Sequence, residues 1–330
     1  MDALRFPYST DCPEALLRCA AAPSVQRLRQ VGMNCGCEYT DFPVFRRSGA
    51  YHRYEHSLGV GLIVWHMTGD LRQAAAGLLH DIATPVFAHV IDFVRGDYLA
   101  QEATEAGTAA RIAGDDRLMA ALADAGLTLD DVADYHRYPV ADNDSPRLSA
   151  DRLEYTLGNI LHYGFDTEET VAALYADLCV AEAEDGQPEI CFAHPEPALR
   201  FAELALRCAR LYVSPEDRYA MQRLAEVVAG ALEAGVLTED MLGRTEPDVI
   251  RRLETHAETA GPWAAYRRLR AVRLTDAPDG CVMPRRVPAK KRRIDPLIRG
   301  MGRVSAVFPR FREALEAFLA EPQTQWISEA

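Results

Sequence analysis

The sequence predicts an all-α fold, and three observations carry that reading. Apolar residues recur with helical period along most of the chain, strand signals are sparse, and glycine, proline and capping residues fall where helices must begin or end. The only extended pair expected lies near the N-terminus, from Glu38 to Arg46 around Pro43. Arg46-Arg-Ser-Gly-Ala50 is polar and punctuated by glycine, a turn that leads into a helix. Beyond it Leu58, Leu62 and Trp65 form an i, i+4, i+7 apolar stripe. The next segment sets Leu71, Ala75, Leu78 and Leu79 on one face, and Pro85 forces an end because the residue before a proline is driven out of the helical region. Helical period then covers residues 109–125, 127–135, 152–161, 168–184, 196–213, 218–235, 246–258, 264–274 and 311–319. Ser214-Pro-Glu-Asp217 is a helix start, with proline in the first turn and acids behind it. Residues 275–288 hold three prolines and one glycine and mark the boundary between a main helical region, 1–275, and a basic linker with a small C-terminal helical piece, 276–330.

Composition narrows the function. The chain has 330 residues, 48% hydrophobic and 26% charged, as a soluble globular protein should. A net charge of −13 argues against generic nucleic-acid binding and against an anionic membrane surface. The longest apolar stretches, 58–67 and 171–183, are too short or too interrupted to span a bilayer. No basic-then-apolar leader is read at the N-terminus, so the expectation is a cytoplasmic protein. Its eight cysteines lack paired CxxC spacing and are expected to be reduced thiols.

Three short stretches, far apart in the chain, carry the chemistry: Tyr51-His-Arg-Tyr-Glu-His56, Leu78-Leu-His-Asp81 and Ser149-Ala-Asp-Arg-Leu-Glu-Tyr155. They supply His56, His80, Asp81 and Asp151. Two imidazoles and two carboxylates suit one divalent ion (Mn, Fe, Co, Ni or Mg) that stays partly open to water or substrate. Adjacent residues on a helix point about 100° apart, so His80 and Asp81 reach one ion only at a terminal turn.

In this order and spacing, His…His-Asp…Asp resembles the HD-domain metal-dependent phosphohydrolases, most closely the deoxynucleoside triphosphate triphosphohydrolase branch. The matching runs are Arg53-Tyr-Glu-His-Ser-Leu-Gly-Val-Gly61, His80-Asp-Ile-Ala-Thr-Pro-Val-Phe-Ala-His-Val-Ile-Asp92, and Asp151-Arg152 with Tyr155 three residues on. The resemblance covers residues from about 25 to 230. It implies a helical HD core, metal ligation by His56, His80, Asp81 and Asp151, substrate phosphates at Arg53 and Arg152, the sugar against Tyr155, and assembly into homo-oligomers. Asn159 stands where that branch has a sugar-binding Asp, and can still hydrogen-bond without charge. His89 and Asp92 keep their places. Two positions depart. Thr84 replaces a catalytic His, and Gln101-Glu102 replaces a His-Glu pair; neither Thr nor Gln moves a proton near neutral pH. A single ion is therefore expected, with the leaving-group proton supplied by His89 first, then Glu102, Asp92 or water.

Gln26 is expected to face the base of a nucleotide and Tyr219 to line the pocket. Lys290 and Lys291, the only lysines in the chain, sit in Arg285-Arg-Val-Pro-Ala-Lys-Lys-Arg-Arg293. That stretch reads either as a solvated basic linker or as an arm whose cations close over an anionic substrate. The whole points to a metal-dependent hydrolase of a phosphate ester or anhydride on a nucleotide or nucleotide-like metabolite. Two readings stand beside it: a nucleotide-binding regulatory module, and an iron-dependent oxygenase or lyase on the same scaffold.

Overall fold

The computed structural model describes residues 8–46, 50–96 and 107–330. Seventeen α-helices dominate it, but seven short strands are present too, so the chain is mainly rather than wholly helical. The strands are β1 Leu178–Glu182, β2 Pro188–Phe192, β3 Val272–Thr275, β4 Val282–Arg285, β5 Leu297–Ile298, β6 Gly302–Arg303 and β7 Trp326–Glu329. One sheet runs β1-β2-β5-β6, with β2 and β5 parallel and its other neighbours antiparallel; the second is antiparallel, β3-β7-β4.

Helices Arg53–Thr68 and Leu71–Leu79 form a tight antiparallel hairpin. Gly69 ends the first in the left-handed region at φ 65°, and Asp70 opens the second by accepting from the backbone of Arg72 and Gln73. The two axes approach closely because Gly61 and Gly77 face across the contact. A Cβ on Gly61 would lie 3.1 Å from the Ala74 carbonyl, and one on Gly77 3.2 Å from Val60. The hairpin brings the first turn of one helix beside the last turn of the other. Helix Ala150–His162 packs across the first of them, capped by the Ser149 hydroxyl at the Arg152 amide.

Two apolar clusters fill the interior. One gathers Leu62, Ile63, Leu78, Leu157, Phe192 and Phe201 around the hairpin and helix Pro195–Leu211. The other gathers Phe42, Phe87, Leu224, Trp263 and Tyr266 around helices Pro215–Glu233 and Ala257–Arg267. The chain after residue 275 is stitched back into both regions, since β5 pairs with β2 and β7 with β3.

Several segments differ from expectation, among them 264–274, where the helix ends at Arg267 and β3 takes up Val272–Thr275. The extended pair at 38–46 is replaced by a 3₁₀ turn, Cys37–Tyr39, and further turns that bury Phe42 and Phe45; among the described residues no strand lies alongside, and local bonds such as Thr40 N to Cys37 O take its place. Extended pairing occurs instead between Gly32 and His52. The helix expected over 168–184 stops at Ala176, and β1 follows, because Asp185-Gly186 turns the chain into a hairpin with β2. The run 109–125 breaks at Gly114, where Asp115 caps a new helix, Asp116–Asp124.

Gly61→Val pushes a branched side chain into the Ala74 backbone and should destabilise the fold by about 1–3 kcal/mol, the usual cost of overpacking. The urea midpoint reads it, and an unchanged midpoint contradicts the close approach.

Candidate metal centre

Three elements deliver the polar side chains to one point. His56 comes from the first turn of helix Arg53–Thr68, His80 caps the C-terminal end of helix Leu71–Leu79, and Asp151 lies in the first turn of helix Ala150–His162. The helix N-terminus favours an ionised carboxylate at Asp151. His56 Nε2 lies 3.1 Å from His80 Nε2 and 3.1 Å from Asp151 Oδ1, and His80 Nε2 lies 3.7 Å from Asp151 Oδ1. All three donor atoms fall within 4.8 Å of one another. Asp81 approaches from the turn after His80, its Oδ2 3.7 Å from His56 Nε2 and 3.6 Å from His80 Nε2.

The imidazoles are oriented for ligation. His56 Nδ1 faces Glu154 Oε2 at 2.6 Å, and His80 Nδ1 faces the Gly77 carbonyl at 2.7 Å. Each Nδ1–H then donates outward and each Nε2 lone pair points into the cluster. Donors spaced at 3.1–3.7 Å suit bonds of about 2.0–2.2 Å to one ion. The residues present therefore fit a divalent metal.

Glu154, which the sequence reading passed over, is the hub behind His56. It is 2% exposed, and it also accepts from Tyr51 Oη at 2.6 Å and Tyr8 Oη at 3.1 Å. Its place is cleared by glycines: a Cβ on Gly59 would lie 2.6 Å from Glu154 Cγ, and one on Gly158 would lie 2.3 Å from the Tyr51 oxygen. The available signal was its i, i+3 spacing from Asp151 on one helix.

Electrostatics bind the cluster together. Burial works against an ionised His56, but Asp151 and Glu154 on either side outweigh it and lift the imidazole to about 10, so an incoming divalent ion must displace the Nε2 proton to take that lone pair. Burial likewise opposes the charge on Asp81, and Arg53 with the two imidazoles outweighs it, holding the carboxyl far below its ordinary range. Arg53 Nη1 donates to Asp81 Oδ2 at 2.6 Å, and Thr84 Oγ1 donates to Asp81 Oδ1 at 2.8 Å.

The cluster forms one wall of a cavity of about 820 Å³. Tyr155 and Asn159 follow Asp151 at four-residue steps on the same helix and line it, with His89, Tyr212 and Asp217 around them. Asn159 Nδ2 donates to Tyr212 Oη at 2.7 Å. Among the described residues, Arg53 Nε, Asn159 Oδ1 and Arg218 Nε are buried without hydrogen-bond partners, and all three residues border the cavity. His89 Nδ1 lies 3.0 Å from the buried Asp92 carboxylate, and Arg292 Nη2 lies 3.3 Å from His89 Nε2. Burial lowers the His89 pKa, with Asp92 pulling against it and Arg292 adding to it. The loop before His89 is held in an unusual backbone, with Phe87 and Ala88 at φ 59° and 45°. Glu246 Oε1 clips it, accepting from Phe87 N at 3.1 Å and from Gly32 N at 3.0 Å.

Several expected substrate residues lie elsewhere. Arg152 turns away from the cavity: its Nε donates to the Arg147 carbonyl, its Nη2 to the Asn143 carbonyl and side chain, and its Nη1 pairs with Asp142. Gln26 bonds Ala20 O and Arg29 within its own turn. Tyr219 is buried against Met283 O, and its neighbour Arg218 faces the cavity instead. Lys290 borders the cavity, whereas Lys291 caps the end of helix Pro309–Ala320 through the carbonyls of Phe318, Leu319 and Glu321. Glu102 lies outside the described residues.

No family model matches the chain. Two proteins are similar to it. One is "Uncharacterized protein YdhJ" of Bacillus subtilis, 26% identical over 202 residues, which are 61% of this chain and 60% of that protein. The other is "Metal-dependent phosphohydrolase cns2" of Cordyceps militaris, 27% identical over 261 residues, 74% of this chain and 70% of that protein. The chain thus spans three-fifths to seven-tenths of the length of these relatives. Among the described residues no helix is long and apolar enough to cross a membrane.

Glu154→Gln keeps an acceptor for the tyrosines and removes the charge behind His56. Metal affinity should fall about 10–100-fold, as for other outer carboxylates, with the circular dichroism spectrum unchanged. Metal titration checks this, and wild-type affinity would refute the hub. Asp217 gives a pH test. Burial pushes its carboxyl up to about 8, with Arg218 and Arg292 pulling against it. The folded chain then holds this proton more tightly than the unfolded one, so stability drains away as pH rises from about 4 towards 8. Asp217→Asn should raise the thermal midpoint at pH 8 more than at pH 5, and an equal effect at both would contradict the shift.

Proposed function

We propose that this protein hydrolyses a phosphate ester or anhydride, on a nucleotide or nucleotide-like metabolite, with one divalent ion held by His56, His80, Asp81 and Asp151. The observation that carries this reading is the facing of His56 Nε2, His80 Nε2 and Asp151 Oδ1 within 4.8 Å in the wall of a cavity that also receives Arg53. The name of the Cordyceps relative supports the same reaction class. A bound divalent ion supplies Lewis acidity, lowering the pKa of water and drawing charge from a phosphoryl oxygen.

The chain's own residues do the rest. Arg53 turns its unpartnered Nε to the phosphoryl oxygens while Asp81 fixes its other end. Water adds to phosphorus, the bond to the leaving oxygen breaks, and the proton that the water releases passes through His89 Nε2 to that oxygen, with Asp92 holding the opposite nitrogen. Thr84 has no part in proton movement, because its hydroxyl is spent on Asp81. Tyr155 and Tyr212, with ring centroids 6.4 Å apart, and Asn159 offer aromatic faces and an amide for the remainder of a nucleoside-sized ligand. The division into a catalytic region, 1–275, and a basic linker with a C-terminal helical piece, 276–330, belongs to this proposal.

Metal analysis followed by a screen for phosphate, pyrophosphate and triphosphate release over nucleotides is the test. One ion per chain and release from at least one nucleotide are expected. His56→Ala and Asp151→Ala should lose metal and activity together, and His89→Gln should keep metal while kcat falls about 10²–10⁴-fold. Tight nucleotide binding without turnover under any metal would favour the regulatory module, and strict oxygen dependence the oxygenase.

A further inference from the structure

The phosphoryl group of a substrate at this centre needs more positive charge than Arg53 offers, because Arg53 already shares its charge with Asp81. Arg152 cannot supply it. Its three nitrogens are committed to Arg147, Asn143 and Asp142, inside the 142–147 loop.

Another cation reaches the same place from a distant part of the chain. Residues 286–296 form a non-helical strap that crosses the cavity. It is tied down repeatedly: Arg218 donates to Val287 O at 2.8 Å, Ala289 N to Gln323 Oε1 at 2.6 Å, Ser145 Oγ to Arg293 O at 2.9 Å, and Asp295 N to Pro146 O at 2.8 Å. Lys291 adds a side-chain anchor on the far side, at Phe318 O and Leu319 O. Its two neighbours lie on the other side, as in an extended chain, so Lys290 and Arg292 border the cavity. Arg292 Nη2 stands 3.3 Å from His89 Nε2, on the wall shared with Arg53 and Asp151.

We propose that Arg292 is the second guanidinium of the phosphoryl-binding site, taking with Arg53 the place that Arg152 has left, and that Lys290 extends this positive edge. This rests on the hydrolase reading and adds a residue to it. The strap is fixed before any ligand arrives, so little ordering is needed to present the planar fork to phosphate oxygens. Arg292 also spans the gap between the anion and His89, and a phosphate that draws the guanidinium towards itself leaves His89 Nε2 to the leaving oxygen.

Calorimetric titration of inorganic phosphate into the manganese-loaded full chain tests it, beside hydrolysis of a phosphomonoester such as p-nitrophenyl phosphate. Arg292→Ala should weaken phosphate binding at least about tenfold, the scale of one lost charge-assisted contact, and lower kcat/KM similarly. Metal content and thermal midpoint should not change. Arg292→Lys should fall between, keeping charge without the fork. Arg286→Ala removes a cation of the same strap that stacks on Trp326, 5.1 Å from its ring centroid, and should stay within about twofold of wild type if bulk charge is not the cause. Wild-type phosphate affinity in Arg292→Ala, or an equal loss in Arg286→Ala, overturns the assignment while leaving hydrolysis by the wild type intact. Failure of the wild type both to bind phosphate and to release it from any ester overturns the hydrolase reading and this assignment together.

Discussion

One buried carboxylate organises the centre. Glu154 holds its charge away from water only because Tyr8, Tyr51 and His56 all turn towards it, as a buried ion requires. Those contacts link the start of the described chain, the turn before the ligand helix, the helix itself and the Asp151 helix. They also choose the His56 tautomer, and with it the direction of the lone pair that faces His80 and Asp151. Gly59 and Gly158 follow from the same demand, since neither position has room for a side chain beside that network.

A second carboxylate plays the corresponding role for the loop that carries His89. Glu246, at the start of helix Glu246–Thr255, bonds the amides of Gly32 and Phe87 and the hydroxyl of Tyr39. Left-handed backbone at Phe87 and Ala88 is unfavourable for residues with a Cβ, costing roughly 1–3 kcal/mol each. A fixed acceptor and the packing of the fully buried Phe87 ring offset it, and His89 emerges from this turn towards the cavity. The orientation of the ligands and that of the His89 loop thus depend on separate acidic anchors in different parts of the fold.

The sequence made the helices and the convergence legible to different degrees. Period located most helices because each buries a face, and it placed the His80–Asp81 pair at a helix end, where Leu79 is the last helical residue. Strands of two to five residues carry no such period, so the two sheets were invisible, the hairpin at Asp185-Gly186 included. Motif spacing pointed to His56, His80, Asp81 and Asp151. It could not say where the donors of Arg152 would go, since Asn143 and Asp142 capture them only once the preceding loop is folded. Tyr219 and Arg218 show the same limit on a smaller scale. Adjacent helical residues point about 100° apart, and pattern alone does not say which of them meets the cavity. Glu154 was hidden because a glutamate in a helix is ordinarily solvated, and only its tyrosine partners mark it as structural.

The strap works as a ruler. At 290–292 cavity-facing and anchored side chains alternate, with Lys290 and Arg292 towards the cavity and Lys291 on Phe318 O and Leu319 O, so the count of residues from the Val287 tie sets which of them faces inward. Dropping or adding a single residue between Val287 and Lys290 would exchange the two sides, bringing Lys291 to the hollow and sending both of its neighbours outward. Composition there would be almost untouched, and the electrostatic surface of the hollow would be rewritten.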